Sequence, residues 1–106
     1  MTGDCDVQGD CVSSAGYPQV HGNNEQCEIT IREDVYVNVS SIFNLETCCD
    51  HLTIYGHDME SSDDVPDLLP AGEIFTWSTD YSQVREGWQL CFSSANAESK
   101  NIFQIF

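Results

Sequence analysis

The stretch Val35–Tyr36–Val37–Asn38–Val39–Ser40 alternates apolar and polar side chains over six residues. That period of two is the pattern of a strand with one buried face. Its phase turns Val35, Val37 and Val39 inward and Asn38 outward. Before it, Ile29 and Ile31 alternate with Glu28 and Thr30, and Arg32–Glu33–Asp34 makes a polar turn between the two runs. After it, Leu52 and Ile54 continue the period to Gly56, Glu73 to Trp77 can form a further strand, and Trp88, Leu90 and Phe92 alternate with Gln89 and Cys91. Five or more short strands with no amphipathic helix predict an all-β protein, an antiparallel β-sandwich. Residues 1–26 read as turn-rich, broken by Gly9, Gly16, Pro18, Gly22 and Asn23–Asn24. Residues 57–72 carry Asp58, Glu60, Asp63, Asp64 and Asp67, with Pro66 and Pro70, and read as a solvated loop. The pattern degrades after Ser94, so residues 1–94 are expected to form one domain and 95–106 an irregular tail.

Eighteen acidic and three basic side chains in 106 residues give a net charge of −15. A phosphate backbone needs clustered Lys and Arg, which Arg32, Arg85 and Lys100 cannot provide, so nucleic acid is excluded as an expected partner. No apolar run approaches the roughly 18 residues of a membrane span. Self-repulsion at this charge destabilises the compact state, and bound cations would offset it. Six cysteines without a Cys-x-x-Cys pair, and with His21, His51 and His57 scattered, point to disulfides and an oxidising compartment. The expected location is extracellular or in the secretory pathway. Met1–Thr2–Gly3–Asp4–Cys5 is neither basic nor apolar, so the chain is expected to be a mature domain or a piece of a larger protein. Asn38–Val39–Ser40 is an N-glycosylation sequon on the outward side of its strand.

The chemistry-bearing segment is Phe43–Asn44–Leu45–Glu46–Thr47–Cys48–Cys49–Asp50–His51–Leu52. Glu46 and Asp50 flank a short loop at the mouth of a strand, and Asp80 in Ser78–Thr79–Asp80–Tyr81–Ser82 adds a third carboxylate. Calcium takes about six to eight oxygens from carboxylates, carbonyls and water. Glu46, Asp50 and Asp80, with Ser82 as a neutral ligand, are the candidate set. The competing reading is an acid-rich surface, since three carboxylates are easily chosen from 18. Catalysis is not expected. An acid–base pair needs separated pKa values in a pocket, and Asp50 and His51, adjacent on a strand, face opposite sides.

These segments resemble a CUB domain over roughly residues 5–94. Ser13–Ser14–Ala15–Gly16–Tyr17–Pro18 is similar to the family's Ser-Pro-x-Tyr-Pro turn. Asn23–Asn24 followed by Cys27 and Ile29 is similar to its Asn-x-x-Cys-x-Trp-x-Ile segment. Phe43, Leu45 and Glu46, followed by Cys49–Asp50–His51–Leu52–Thr53–Ile54–Tyr55–Gly56, resemble its central signature. Ser78–Thr79–Asp80–Tyr81–Ser82 with Gly87–Trp88 resembles its Ser-Asp-x-Ser…Gly-Phe segment. The family's fourth cysteine is missing from 57–72, whereas Cys11, Cys48 and Cys91 are extra. The resemblance is therefore to a divergent member outside the familiar animal pattern, expected to be of protist type.

The resemblance implies a jelly-roll-like sandwich acting in extracellular recognition or assembly, usually beside other modules. It implies calcium at Glu46, Asp50 and Asp80, with Tyr17 supporting the site. The expected partner is a protein presenting Lys or Arg to Glu46 and Asp80, with Tyr17 and Tyr81 as flat contact area. The function so read is a non-catalytic, calcium-stabilised recognition module. The alternative is a structural or assembly module with no dedicated ligand.

Six cysteines allow 15 complete pairings. Cys11 with Cys27 brackets the Gly–Tyr–Pro turn in a loop of about 17 residues, worth on the order of 3 kcal/mol. Cys49 and Cys91 share the outward phase of their strands, and Cys5 with Cys48 completes that set. The family resemblance instead offers Cys5 with Cys27. A ring between the adjacent Cys48 and Cys49 is a further alternative, at odds with ordinary bridge geometry.

Overall fold

The computed structural model describes residues 2–19, 24–45, 49–79 and 86–95. Ten strands fall within them: β1 (Thr2–Gly3), β2 (Asp6–Gln8), β3 (Cys11–Ser13), β4 (Gln26–Thr30), β5 (Val35–Val39), β6 (His51–Ile54), β7 (His57–Asp58), β8 (Leu68–Leu69), β9 (Ile74–Ser78) and β10 (Gln89–Ser94). They form two antiparallel five-stranded sheets, one in the order β1-β4-β9-β6-β7 and the other β2-β3-β10-β5-β8. The two sheets pack face to face as an all-β sandwich, as the alternating pattern predicts. In β5, Val35 is buried while Tyr36 and Asn38 are exposed. In β4, Cys27 and Ile29 are buried and Gln26, Glu28 and Thr30 exposed. In β6 the buried residues are Leu52 and Ile54.

Aromatic rings join the two sheets. Trp77 of β9 meets Trp88, which precedes β10, edge to face at 5.8 Å between centroids. Phe75 meets Trp88 at 6.2 Å and Phe92 of β10 at 6.2 Å. Ile29, Leu52, Ile54, Leu69, Leu90 and Val12 fill the space around them with no solvent exposure. Rings of this size dominate the burial of a small sandwich.

Two segments carry more structure than their composition suggests. The turn-rich N-terminal region contains three short strands, and β1 lies along the edge of β4. Gly3 permits that approach. Its φ is +105°, and a Cβ there would collide with the Gln26 carbonyl and the Cys27 backbone. The acidic 57–72 region folds as a β7 return, a 3-10 turn at Ser62–Asp64 and β8. It also contributes Met59, Val65 and Leu69 to the core. Charge density therefore masked three buried apolar anchors.

The disulfides correct the sequence reading. Cys5 pairs with Cys27 and Cys11 with Cys91. Cys11 with Cys27 does not occur, because Cys27 is bonded to Cys5 and Cys11 to its cross-strand neighbour Cys91. Cys49 with Cys91 fails because Cys91 is bonded to Cys11. Cys91 does sit on the outer side of its strand, where Cys11 is its direct cross-strand partner. Cys5 with Cys48 is excluded by Cys5–Cys27. Cys49 is itself disulfide-bonded, and Cys48 lies outside the described residues. Cys5–Cys27, the pairing the family resemblance offers, fixes β1 and its edge to β4. A sequence separation of 80 residues makes Cys11–Cys91 worth ~4.5 kcal/mol on the chain-entropy relation. A peptide map of non-reduced protein is expected to join Cys11 to Cys91, and Cys11→Ala with Cys91→Ala to lower the melting temperature markedly; a Cys11–Cys27 peptide would contradict the fold.

Candidate functional site

Besides the short Asp4–Cys5 link from β1 to β2, three connections cross from one sheet to the other at the same end of the sandwich. Ser13 pairs with Gln89 and Gln26 with Ser78, so residues 14–25 leave β3 and enter β4 there. Val39 pairs with Leu90 and His51 with Ser78, so residues 40–50 cross beside them. Residues 79–88 link β9 to β10 across the same end. The candidate residues Tyr17, Glu46, Asp50, Asp80, Tyr81 and Ser82 all belong to these three crossovers. Among them, Tyr17 and Asp50 are described; Glu46, Asp80, Tyr81 and Ser82 lie outside the described residues.

Hydrogen bonds tie the crossovers to one another. Asn44 and Gly87 form an isolated bridge: the Asn44 N–H donates to the Gly87 carbonyl at 2.8 Å and the reverse bond is 3.0 Å. The Asn44 side-chain amide donates to Glu86 Oε1 at 2.6 Å. Ser14, fully buried, accepts from the Trp88 N–H at 3.2 Å and donates to the Glu86 carbonyl at 3.4 Å. Its own N–H donates to the Trp88 carbonyl. The Tyr17 hydroxyl donates to the Ile42 carbonyl at 2.8 Å, bracing the second crossover from the first. The described parts of the second and third crossovers are thus joined at Asn44, Glu86 and Gly87.

Among the described residues two carboxylates are buried at this end. Asp50 is 3% exposed and Glu25 9%. Thr79 stands between them in the strand order. Its N–H donates to the Glu25 carbonyl at 2.9 Å and its Oγ1 accepts from the Glu25 N–H at 2.8 Å. Asp50 immediately precedes His51, whose register partner is Ser78. The Trp77 indole N–H donates to Glu25 Oε1 at 3.4 Å, linking this row to the aromatic core. Buried carboxylates are held by hydrogen bonds, opposite charges or metal ions. Of the three basic residues, Arg32 alone is described, and it lies exposed in the turn at the far end of β4. Among the described residues no three His, Cys, Asp or Glu side chains converge as a metal-holding group.

Sequence reasoning passed over Glu25, Ser14, Asn44 and Thr79. Glu25 and Ser14 fall in the region read as turns, and their partners lie 52 and 74 residues away. The Ser14 position in the Tyr–Pro turn motif was the one local signal. His51 is half-exposed on the outer face of its sheet and pairs with Asp58 at 2.9 Å. The Thr53 hydroxyl donates to Asp58 Oδ1, and it and then His51 hold the Asp58 carboxyl below its ordinary range. Asn38 is exposed on the outer face of the other sheet, beside Cys91. The Ser40 hydroxyl of its sequon donates to Gln89 Oε1 at 2.7 Å.

Comparison with family models, curated proteins and solved structures gives no match for this chain. Among the described residues no helix is long and apolar enough to cross a membrane. The disulfides Cys5–Cys27 and Cys11–Cys91 are compatible with an extracellular or secreted protein. Ser14→Ala is expected to cost about 1–3 kcal/mol in chemical unfolding, because the buried Trp88 N–H loses its acceptor; an unchanged midpoint would mean that the crossovers do not depend on this bond.

Proposed function

We propose that this chain is a CUB-like, non-catalytic recognition module stabilised by calcium at its crossover end. The observation that carries the reading is topological. Residues in three separate sequence segments, chosen for their chemistry, all belong to crossovers emerging at one end of the sandwich. There, the described member Asp50 is buried beside Thr79.

Glu46, Asp50 and Asp80, with Ser82, would hold the ion. A calcium ion there supplies positive charge that offsets part of the net −15 and holds the 40–50 and 79–88 crossovers together. Tyr17 is a positioning residue in this reading, since its hydroxyl is committed to the Ile42 carbonyl. The partner is a protein presenting Lys or Arg to Glu46 and Asp80, with Tyr81 as contact area. Charge-assisted pairing anchors it and the acidic surface steers it. An N-glycan at Asn38 would project from the outer face of the β5 sheet, two residues before the 40–50 crossover. The setting is a larger extracellular protein.

Calcium that binds only the folded chain stabilises it by about 2.7 kcal/mol at a hundredfold excess over Kd. On a domain of this size that raises the melting temperature by on the order of 10 °C. Thermal unfolding in EDTA and in millimolar calcium is expected to show that rise, and Asp50→Asn with Asp80→Asn to remove it. A wild-type curve unmoved by calcium would refute the calcium reading, leaving the module as a structural element of its parent protein.

A further inference from the structure

The opposite end of the sandwich carries a groove that the crossover reading does not use. β6 and β7 are joined there by the two-residue turn Tyr55–Gly56, with φ of +56° and +76°. A left-handed backbone is uncommon for a residue as bulky as tyrosine. Tyr55 is 45% exposed, and its hydroxyl donates to the Leu68 carbonyl at 3.3 Å, so the ring is held at both ends. Beside it opens a cavity of about 370 Å³ lined by the buried Ile54 and Met59, by Tyr55 and Pro66, and by the exposed His57, Asp58, Glu60 and Asp64.

The rim carboxylates are set in place by their own bonds. Asp58 accepts from the Thr53 hydroxyl at 2.9 Å and faces His51 Nδ1 at 2.9 Å. Asp64 Oδ2 accepts the N–H groups of Glu60 at 2.9 Å and Ser61 at 3.2 Å. Glu60 itself is exposed on the rim. Past Tyr55 the surface stays apolar: Leu68 is 46% exposed and its cross-strand partner Tyr36 54%. Apolar floor, fixed aromatic ring and anionic rim thus adjoin an apolar ledge.

We propose that this groove docks the cationic side chain of a protein partner, an arginine flanked by an aliphatic residue. The methylene stem lies on Met59 and Pro66, as long cationic side chains cover apolar surface. The guanidinium stacks on Tyr55 and meets the rim carboxylates. The aliphatic neighbour rests on Leu68 and Tyr36. The apolar floor and ring favour such an organic cation over a hydrated metal ion, which takes oxygen ligands throughout.

The test is a ¹⁵N–¹H correlation titration of the whole chain in EDTA with the peptide acetyl-Gly-Leu-Arg-Gly-amide. A second titration uses its citrulline counterpart, which keeps the shape and removes the charge. The absence of calcium separates this result from the crossover reading. Saturable shifts confined to residues 54–69, at least tenfold weaker binding of the citrulline peptide, and a fivefold or greater loss with Glu60→Gln or Tyr55→Asn are expected. Both variants should melt close to the wild type, and Asn is chosen because it tolerates left-handed backbone. Shifts centred on 14–19, 40–45 or 86–88, unsaturable shifts over the whole surface, or equal binding of the two peptides would overturn the proposal.

Discussion

The edge-to-face contact of Trp77 with Trp88 is the interaction on which the rest of this architecture depends. Trp77 closes the inner face of β9, and Trp88 leads into β10, so their contact joins the two sheets where one crossover begins and ends. Phe75 and Phe92 extend it along the sandwich. Aromatic pairs in this geometry contribute about 0.5–1.5 kcal/mol beyond the area they bury, and truncating such a ring costs about 3–5 kcal/mol. The disulfides act around this core. Cys5–Cys27 secures the edge of one sheet, while Cys11–Cys91 staples neighbouring strands of the other.

From that anchor the crossover end is built by polar bonds. Ser14 bonds both the N–H and the carbonyl of Trp88, Asn44 and Gly87 bridge the second and third crossovers, and Tyr17 of the first reaches the second at Ile42. Each bond joins residues far apart in sequence. Glu25 and Asp50 are buried within it, the one bonded to the core through Trp77. The turn end differs in kind: its carboxylates stand at the surface around an apolar floor. A chain with net charge −15 therefore presents two chemically distinct acidic ends.

The fold was legible where hydrophobic period and burial coincide. Val35, Ile29, Leu52 and Leu90 are buried in the phase that alternation predicts. The phase of Cys91 was legible too, but its partner was not, because register between β3 and β10 joins residues 80 apart and leaves no local trace. Strands of two or three residues, such as β1 and β8, are too short to show a period. In 57–72, Met59, Val65 and Leu69 are spaced irregularly among acidic residues, so the charge obscured an ordered segment. Of the candidate site, Asp50 could be singled out from its spacing to Glu46 and the motif around it. Glu25 could not, since its burial is set by Thr79 and Trp77 on a distant strand.

The central claim is that the three crossovers form one cation-binding end. A ¹⁵N–¹H correlation map of the chain titrated with calcium chloride tests it most directly. The account predicts saturable shifts at described crossover residues such as Glu25, Asn44, Asp50, Thr79 and Gly87, with the 55–73 region unmoved. Saturable shifts at Asp58, Glu60 and Asp64 instead, or no saturable shift anywhere, would contradict it.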